Sequence, residues 1–333
     1  MNDYRNEYNG KTVLITGGAG CIGSNLTKGL IEAGAKKVLV YDDLSAAEEW
    51  NIPSAPAVEF VKGSVLDDTL MDRVFSAKPD YVFHLAAHFA NQNSVDHPET
   101  DLLVNGQGTI KVLDRSVKNE VTRVVFASSG CSVYGSKAPL PLKEDFVSLH
   151  LDTPYMITKL LGELYCNFYH SYYKLPVAIA RFFNVYGPGE IPGAYRNVIP
   201  NFMYLAFHEK PLTVMGTGEE TRDYTFVGDI VDGTLRLGVV PEALGEAFNL
   251  ASEKEIRTID LANIVNDLTG NPGGITYIPL RDWDQITKRR ASIEKAHRVL
   301  GYEPKMKFED GVRTVYDWMK ENRDKIEASA RFN

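Results

Sequence analysis

A strand, a glycine-rich turn and a helix follow one another within residues 11–34, and this stretch constrains the fold most. Residues 13–15 form a short apolar run, which is typical of a buried strand. Apolar residues then recur at helical spacing from Ile22 to Ile31, and Gly34 is placed to end that helix. The turn carries three glycines spaced G-x-x-G-x-x-G: Gly17, Gly20 and Gly23.

This turn suits a pyrophosphate, because a helix N-terminus offers unpaired N–H groups and glycine lets the backbone approach a ligand closely. Residues 38–41 form a second apolar strand, and Asp42 and Asp43 follow it. An acid at that position accepts hydrogen bonds from an adenosine ribose and repels a 2′-phosphate. We therefore predict a dinucleotide site that prefers NAD to NADP, with Asp42 rather than Asp43 as the ribose ligand.

Composition excludes several classes of protein. The 333 residues are 44% hydrophobic and 24% charged, with a net charge of −8 that gives a nucleic-acid partner no electrostatic support. The N-terminus is polar, and no apolar run approaches the ~20 residues that cross a bilayer. We therefore expect no membrane contact. The chain has three cysteines without metal-ligand or disulfide spacing: Cys21, Cys131 and Cys166. We expect no metal and a cytoplasmic protein.

Strands alternate with helices through the first half of the chain, which predicts an α/β fold with a doubly wound parallel sheet. Beyond Pro188 glycines and prolines become frequent and the periodic segments become short. We predict a cofactor-binding domain at 1–185, with returning segments near 225–250. Residues 186–333 would mostly form a smaller substrate-binding lobe over the strand ends.

Tyr155 and Lys159 form a Y-x-x-x-K pair in a segment that is predicted to be a helix from Pro154. Positions i and i+4 share one helix face. An ammonium and an oxidised nicotinamide nearby would favour the phenolate, so we predict a lowered pKa and a general-base role for Tyr155. The alternative is a surface pair on an amphipathic helix.

Seven motifs make the chain resemble the extended short-chain dehydrogenase/reductase family, in its nucleotide-sugar epimerase and dehydratase group. They are TGGAGCIGSNL at 16–26, YDDLS at 41–45, FHLAA at 83–87, SSGCSVYG at 128–135, YMITK at 155–159, RFFNVYGPG at 181–189 and TRDYTFVGDI at 221–230. The chain is most similar to proteins of the UDP-glucose 4-epimerase type. The resemblance implies a Rossmann-type NAD-binding domain. It also implies transient oxidation at C4 of a nucleotide sugar, through a 4-keto intermediate.

The resemblance also assigns residues to ligands, and Asn105 would brace the interior near the site. Those implied to bind NAD are Gly17, Gly20, Cys21, Ile22, Gly23, Asp42, Ser64, Val65, Leu85, Ala86, Ala87, Tyr155 and Lys159. Those implied to bind substrate are Ser132, Asn184, Asn197, Val198, Arg222 and Arg281. Ser64 departs from the acid that is usual beside adenine.

Two of these residues, Arg222 and Arg281, resemble the arginines that hold the diphosphate in the family. A guanidinium suits that role because its planar fork bonds phosphate oxygens bidentately. The alternative for each is an ion pair with its neighbour in the chain, Asp223 or Asp282.

One position departs from the family pattern. The catalytic Ser or Thr usually stands four residues before the tyrosine of VYG, where this chain has Gly130. We predict that Ser129 supplies the hydroxyl, with Ser132 as a substrate contact or a substitute. The Asp-Glu pair of 4,6-dehydratases is replaced by Cys131 and Ser132, and a small packed residue is the expected role of Cys131.

The predicted function is an NAD-dependent nucleoside-diphosphate-sugar 4-epimerase. A dehydratase or reductase on similar substrates is the alternative, and a non-catalytic NAD(H)-sensing protein is a third. By analogy with the family we predict a homodimer built on the helices at 99–119 and 154–174. Candidate contacts are Leu102, Ile110, Leu161 and Tyr165.

A basic run at 288–290 lies in the segment that shapes the sugar end of the pocket in related 4-epimerases. It suggests that Lys288 or Arg289 binds a carboxylate on the sugar. The alternatives are that the run is solvated or reaches the diphosphate beside Arg222.

Overall fold

The structure is a computed structural model that describes residues 3–284 and 286–332, so Met1, Asn2, Gln285 and Asn333 lie outside it. Its strands are β1 Thr12–Thr16, β2 Lys37–Asp42, β3 Val58–Lys62, β4 Tyr81–His84, β5 Arg123–Ser129, β6 Val177–Phe182, β7 Val185–Tyr186, β8 Leu212–Met215, β9 Thr221–Asp223, β10 Thr225–Phe226, β11 Ala247–Leu250, β12 Glu255–Arg257 and β13 Ile275–Ile278. Its helices are α1 Cys21–Glu32, α2 Asp68–Phe75, α3 Asn91–Asp96, α4 Pro98–Asp101, α5 Gly108–Lys118, α6 Pro154–Tyr173, α7 Val198–Phe207, α8 Val227–Val239, α9 Thr258–Thr269, α10 Glu294–Leu300, α11 Phe308–Glu321 and α12 Arg323–Ser329.

A parallel sheet organises the chain, with strand order β11-β6-β5-β4-β1-β2-β3 among the described residues. The first strand pairs in parallel with both β2 and β4, so the strand order reverses at β1. Ligands bind at such a reversal, beyond the carboxyl ends of the strands. The predicted doubly wound α/β fold is confirmed.

Helices cover both faces of the sheet because the strands are apolar on both faces. Val13 and Ile15 pack into one hydrophobic cluster with residues of α1 and α8, whereas Leu14 packs into a second cluster with residues of α2, α5 and α6. The side chains of Val13, Leu14 and Ile15 are all fully buried. This alternation follows from the period of two along a strand.

The helix predicted at 99–119 is continuous from Pro98 to Lys118, and it contains a π-helical stretch. α4 ends at Asp101, a π-helical segment spans Leu102–Gln107, and α5 begins at Gly108. Asn105, inside the π segment, donates to the Asp101 carboxylate at 2.8 Å and accepts from the backbone N–H of His88 at 2.8 Å. A local insertion of this kind is common at functional sites, and the bracing role predicted for Asn105 agrees with these bonds.

The second half of the chain contributes to the sheet as well as to a separate core. α8 packs on α1, and β11 forms the sheet edge beside β6. A third hydrophobic cluster draws on α7, α9 and α11. The apolar face of α11 is buried at Val312, Val315 and Met319, and α11 ends at Glu321 before α12 begins. The division into two domains stays a prediction.

Candidate active site

A cavity of about 530 Å³ opens at the carboxyl ends of β1, β4, β5 and β6. The residues predicted to bind NAD all line it: Gly17, Gly20, Cys21, Ile22, Gly23, Asp42, Ser64, Val65, Leu85, Ala86, Ala87, Tyr155 and Lys159. The predicted polar residues Ser129, Ser132, Asn184 and Asn197 line the same cavity. One space is therefore bounded at one end by the glycine turn and at the other by the Y-x-x-x-K pair.

Glycine is required where the turn meets the cavity wall. A Cβ on Gly17, whose φ is +72°, would lie 2.6 Å from the backbone nitrogen of Ala86. A Cβ on Gly23 would lie 2.4 Å from the carbonyl oxygen of Gly17. α1 begins at Cys21, and its N-cap Gly20 places no side chain on the N–H groups of the first turn. These groups fit a pyrophosphate, which needs unpaired donors and close backbone approach.

Asp42 is fixed at the end of β2 by backbone donors. Its carboxylate accepts from the N–H of Ala19 at 3.0 Å and from the N–H of Leu44 at 2.9 Å. Burial raises the pKa of this carboxyl, and the two backbone hydrogen bonds oppose that rise. Asp43 is exposed and accepts from the N–H of Ser45. The arrangement favours Asp42 as the ribose ligand.

Tyr155 and Lys159 lie one turn apart on α6, and both are buried. The Lys159 Nζ donates to the carbonyl oxygen of Ala127 at 2.8 Å and lies 5.6 Å from the centroid of the Tyr155 ring. Burial raises the pKa of Tyr155 well above its usual value, with further increases from Asp101 and Cys131. Burial lowers the pKa of Lys159 to about 8. The lowering predicted for the phenol pKa depends on an oxidised nicotinamide beside the ring, so it stays a prediction for the NAD-bound site.

The structure explains the glycine at position 130. A Cβ there would lie 1.9 Å from Cε2 of Phe183, so no side chain fits unless that ring moves. The hydroxyls stand on either side instead, and Ser132 Oγ donates to Ser129 Oγ at 2.9 Å. Cys131 also faces the cavity, and burial raises the pKa of its thiol. A neutral thiol agrees with the packing role predicted for Cys131.

Three of the predicted substrate residues do not line the cavity. Val198 is the first residue of α7, and the Arg281 guanidinium lies 5.7 Å from the centroid of the Trp283 ring. Arg222 forms an ion pair with Asp284 at 3.2 Å. The alternative pairing of Arg222 with Asp223 is wrong, because that carboxylate is occupied by four other donors. These are the N–H and Oγ of Ser252 and the N–H groups of Glu253 and Ala291.

Sequence reasoning missed Glu190, a buried carboxyl that lines the cavity near Cys21. Its Oε1 accepts from Asn197 Nδ2 at 2.6 Å, while its Oε2 has no partner in the described part of the chain. Burial raises the pKa of Glu190 to about 7, and Arg196 opposes that rise. The only signal in the sequence is an acid directly after the glycine and proline of YGPG.

The fold and this cavity define an α/β protein that binds a dinucleotide. The NAD dependent epimerase/dehydratase family model matches residues 13–251, and the chain belongs to that family. The cofactor of this family is NAD, as predicted. UDP-glucose 4-epimerase of Mycolicibacterium smegmatis is 34% identical over 310 residues, covering 92% of this chain and 98% of the relative.

Solved structures agree with this assignment. Epimerase Mth375 from Methanothermobacter thermautotrophicus is 55% identical with a TM-score of 0.98, covering 99% of this chain and 98% of its own. The Bordetella bronchiseptica enzyme WbmF, in complex with NAD+ and UDP, is 38% identical with a TM-score of 0.85. The match covers 97% of this chain and 96% of the WbmF chain. The predicted resemblance to nucleotide-sugar epimerases is confirmed.

In the part that the structure describes, no group of three or more His, Cys, Asp or Glu side chains could hold a metal ion. No helix within residues 3–284 and 286–332 has both the length and the hydropathy to cross a bilayer.

The position of Glu190 predicts that NAD affinity depends on pH. A carboxylate near the first turn of α1 would repel the pyrophosphate, whereas the protonated acid would not. Because the pKa of Glu190 is raised to about 7, the favourable form is present below that pH and is lost above it. We expect the affinity of the wild type to fall between pH 7 and 8, by up to roughly tenfold per unit.

Titration calorimetry between pH 6 and 8.5 checks this expectation. Glu190→Gln should bind NAD with little pH dependence, because the amide carries no charge at any pH. Glu242→Gln, at an exposed acid outside the cavity, is the matched control and should retain the wild-type profile. Equal slopes for Glu190→Gln and the wild type would contradict the assignment.

Proposed function

We propose that this chain is an NAD-dependent epimerase that inverts C4 of a nucleoside-diphosphate sugar. The observation that carries the proposal is the placement of Tyr155, Lys159 and the Ser129–Ser132 hydroxyl pair in one cavity with the glycine turn. NAD, when bound, supplies the hydride acceptor and the positive charge of its nicotinamide ring. Every other role falls to the side chains of the protein.

Tyr155 accepts the proton of the sugar 4-hydroxyl and later returns it. The buried phenol is neutral when no other charge is near, and a positive charge beside it favours the phenolate. Ser129 shares the proton through its hydroxyl, and the hydrogen bond from Ser132 fixes the orientation of that hydroxyl. Lys159, held by the carbonyl oxygen of Ala127, orients the nicotinamide ribose and adds positive charge.

A dehydratase or reductase of the same family is the second candidate. A dehydratase needs an acid and a base beside C5 and C6, and Cys131 and Ser132 stand where dehydratases carry that pair. A non-catalytic NAD(H) sensor would not need Tyr155 and Lys159, and the chain keeps both. Incubation with UDP-, dTDP-, CDP- and GDP-sugars, followed by NMR, tests the proposal. Products inverted at C4 support it, whereas a 4-keto-6-deoxy product or no conversion would refute it.

Residues on the cavity wall and outside the cavity complete the proposed substrate site. We propose that Arg222, near Cys131, binds the diphosphate when its pair with Asp284 opens. Asn184 and Asn197 contact the sugar and the nucleotide from the cavity wall, with Val198 at the start of α7 beside them. Arg281 remains the weaker of the two arginine candidates, since its guanidinium already packs on Trp283.

Replacement of Asp42 should relax the choice between NAD and NADP. The carboxylate lies at the end of β2 and would repel a 2′-phosphate. Calorimetry should show that the wild type has a lower Kd for NAD than for NADP. Asp42→Asn should reduce the ratio of these two Kd values by roughly tenfold, the effect of removing one charged contact. Asp43→Asn, at the exposed neighbour, is the matched control. Equal wild-type affinities for the two cofactors would overturn the assignment.

We propose a homodimer that uses an apolar stripe on α6. Ile157, Leu164 and Phe168 are exposed there, and Leu161 completes the i, i+4, i+7, i+11 spacing. Leu102 is exposed on the neighbouring π segment. An apolar stripe of this size on a helix usually marks a protein contact.

Charges placed in this stripe should separate the protomers. Leu164→Glu with Phe168→Glu is expected to give a monomer by light scattering at micromolar concentration, whereas the wild type gives a dimer. Leu149→Glu is the control, because Leu149 is 91% exposed and lies outside α6. A monomeric wild type would contradict the prediction.

A further inference from the structure

Residues 193–196, which we call the strap, join two sides of the cavity through side-chain hydrogen bonds. Tyr195 donates its hydroxyl proton to Asp96 Oδ2 at 3.0 Å, at the end of α3. Arg196 Nη2 donates to the carbonyl oxygen of Ala46, in the loop after β2. The cavity is lined on the first side by Asn91, where α3 begins, and on the second side by Ala46. The strap therefore spans the cavity from α3 to the loop after β2.

The start of the strap is fixed to α7. The N–H of Gly193 donates to Asn201 Oδ1 at 2.9 Å, and Asn201 Nδ2 donates to the Gly193 carbonyl oxygen at 3.0 Å. This root is made by one amide side chain that satisfies both polar groups of the Gly193 backbone. The bonds of Tyr195 and Arg196 can therefore open while Gly193 stays in place.

Arg331, which follows α12, holds the strap from outside the cavity. Its carbonyl oxygen accepts from the N–H of Ala194 at 2.9 Å, and it forms a β-bridge with Gly193. Its guanidinium donates to the Ser45 carbonyl oxygen at 3.4 Å and to Glu48 Oε1 at 2.7 Å. A Cβ on Gly193 would lie 2.7 Å from the Arg331 carbonyl oxygen, so this close approach requires glycine. Arg331 thus ties the strap to the loop after β2 a second time.

A smaller pocket of about 210 Å³ lies on the outer side of the strap. All four strap residues line it, together with Glu48 and Arg331. Several residues line both this outer pocket and the cavity: Ser45, Ala46, Ala47, Phe89, Ile191 and Arg196. The two spaces adjoin, and the strap stands between them.

We propose that the strap is a gate for NAD, which opens to let the dinucleotide enter and leave the cavity. Its bonds to α3, to the loop after β2 and to Arg331 make this exchange slow. The inference rests on the proposed position of NAD in the cavity. An epimerase recovers its NAD in every cycle and has no need to exchange it, so a slow gate suits the proposed function. A reductase that consumed NADH would have to pass the gate at every turnover.

A gate has a kinetic signature that a binding contact does not have. The bonds of the strap join protein groups to one another, so breaking them favours opening in the free and in the loaded protein alike. A change that favours two states equally does not shift the equilibrium between them. Loss of strap bonds should therefore raise the association and dissociation rate constants of NAD together and leave its Kd nearly unchanged.

The test variant is Tyr195→Phe with Arg331→Ala. Both residues line the outer pocket and not the cavity, whereas Arg196 lines both and is left unchanged. The protein is loaded with NAD labelled in the adenine ring and diluted into excess unlabelled NAD, and the label retained on filters gives the dissociation rate constant. Calorimetry gives the Kd, and the two values together give the association rate constant. We expect both rate constants to rise about 10-fold, as the loss of one or two hydrogen bonds predicts, with Kd changed less than about 3-fold.

Tyr4→Phe with Arg257→Ala is the matched control. It removes a phenol bond to Asp232 and an exposed ion pair with Asp260, both outside the cavity and the outer pocket, and should leave both rate constants unchanged. Thermal unfolding of the test variant should match that of this control. An unchanged dissociation rate constant in the test variant, or a rise matched by an equal rise in Kd, would overturn the gate. Asp42→Asn, at a proposed NAD contact, should raise the dissociation rate constant and Kd together, and no effect there would contradict the position of NAD instead.

Discussion

Tyr155→Phe is expected to lose roughly 10²–10⁴-fold in turnover, the usual contribution of a positioned acid or base. The substitution removes only the phenolic oxygen, which is the proposed proton acceptor for the sugar 4-hydroxyl. The ring stays in its packing against Phe89, whose centroid lies 5.9 Å away. The fold and the binding of NAD should therefore survive, while the chemistry does not.

Two measurements separate this outcome from a structural defect. Calorimetry should give NAD affinity within about 3-fold of the wild type, a smaller change than loss of one neutral hydrogen bond produces. Steady-state assays should show the loss in kcat. Tyr172→Phe, on the same helix but 69% exposed and outside the cavity, should retain the wild-type rate. If Tyr155→Phe kept a tenth or more of the wild-type kcat, the assignment of the general base would be wrong.

Local patterns were sufficient to predict the sheet. Residues 13–15 are apolar on both faces, and the glycines after them fix the turn whatever else the chain does. The π-helical stretch inside the predicted 99–119 helix could not be predicted in this way. It depends on Asn105 bonding across the fold to His88 and to Thr158, contacts that a helical repeat does not encode.

The candidate-site residues that lie at the ends of strands could be predicted from the sequence. Parallel strands end at one edge, so Gly17, Ala86 and Ser129 had to meet there. Residues in the loops of the second half were less predictable, because a partner such as Asp284 for Arg222 is 62 positions away. The burial of Tyr155 and Lys159 could not be predicted, since their spacing shows that the two side chains share a helix face but not how far they are shielded from solvent.

Glu163 is a further residue whose burial and partners could not be predicted from its spacing in the sequence. It follows Tyr155 and Lys159 at i+8 and i+4, so the same face of α6 carries all three side chains. Its carboxylate accepts from Arg181 Nε at 3.0 Å and Nη2 at 2.8 Å, and from Ser128 Oγ at 2.5 Å. Both side chains of the ion pair are at most 4% exposed. Glu163 thus ties the helix with the catalytic candidates to β5 and β6.

Glu163→Ala is expected to lower the free energy of unfolding by ~3–5 kcal/mol, because it leaves the Arg181 charge buried and unpaired. Urea denaturation measures this change. Glu59→Ala, at an exposed ion pair with Lys37, is the control and should change stability by ~1 kcal/mol or less.

A double variant tests the reason for the loss. Glu163→Leu with Arg181→Met removes both buried charges, so it should be more stable than Glu163→Ala, as paired replacements with apolar residues often are. Where Glu163→Ala still folds, kcat should also fall, because Ser128 precedes Ser129 and Lys159 lies one turn away on α6. If Glu163→Ala were as stable as Glu59→Ala, the buried pair would not be what holds α6 against the sheet.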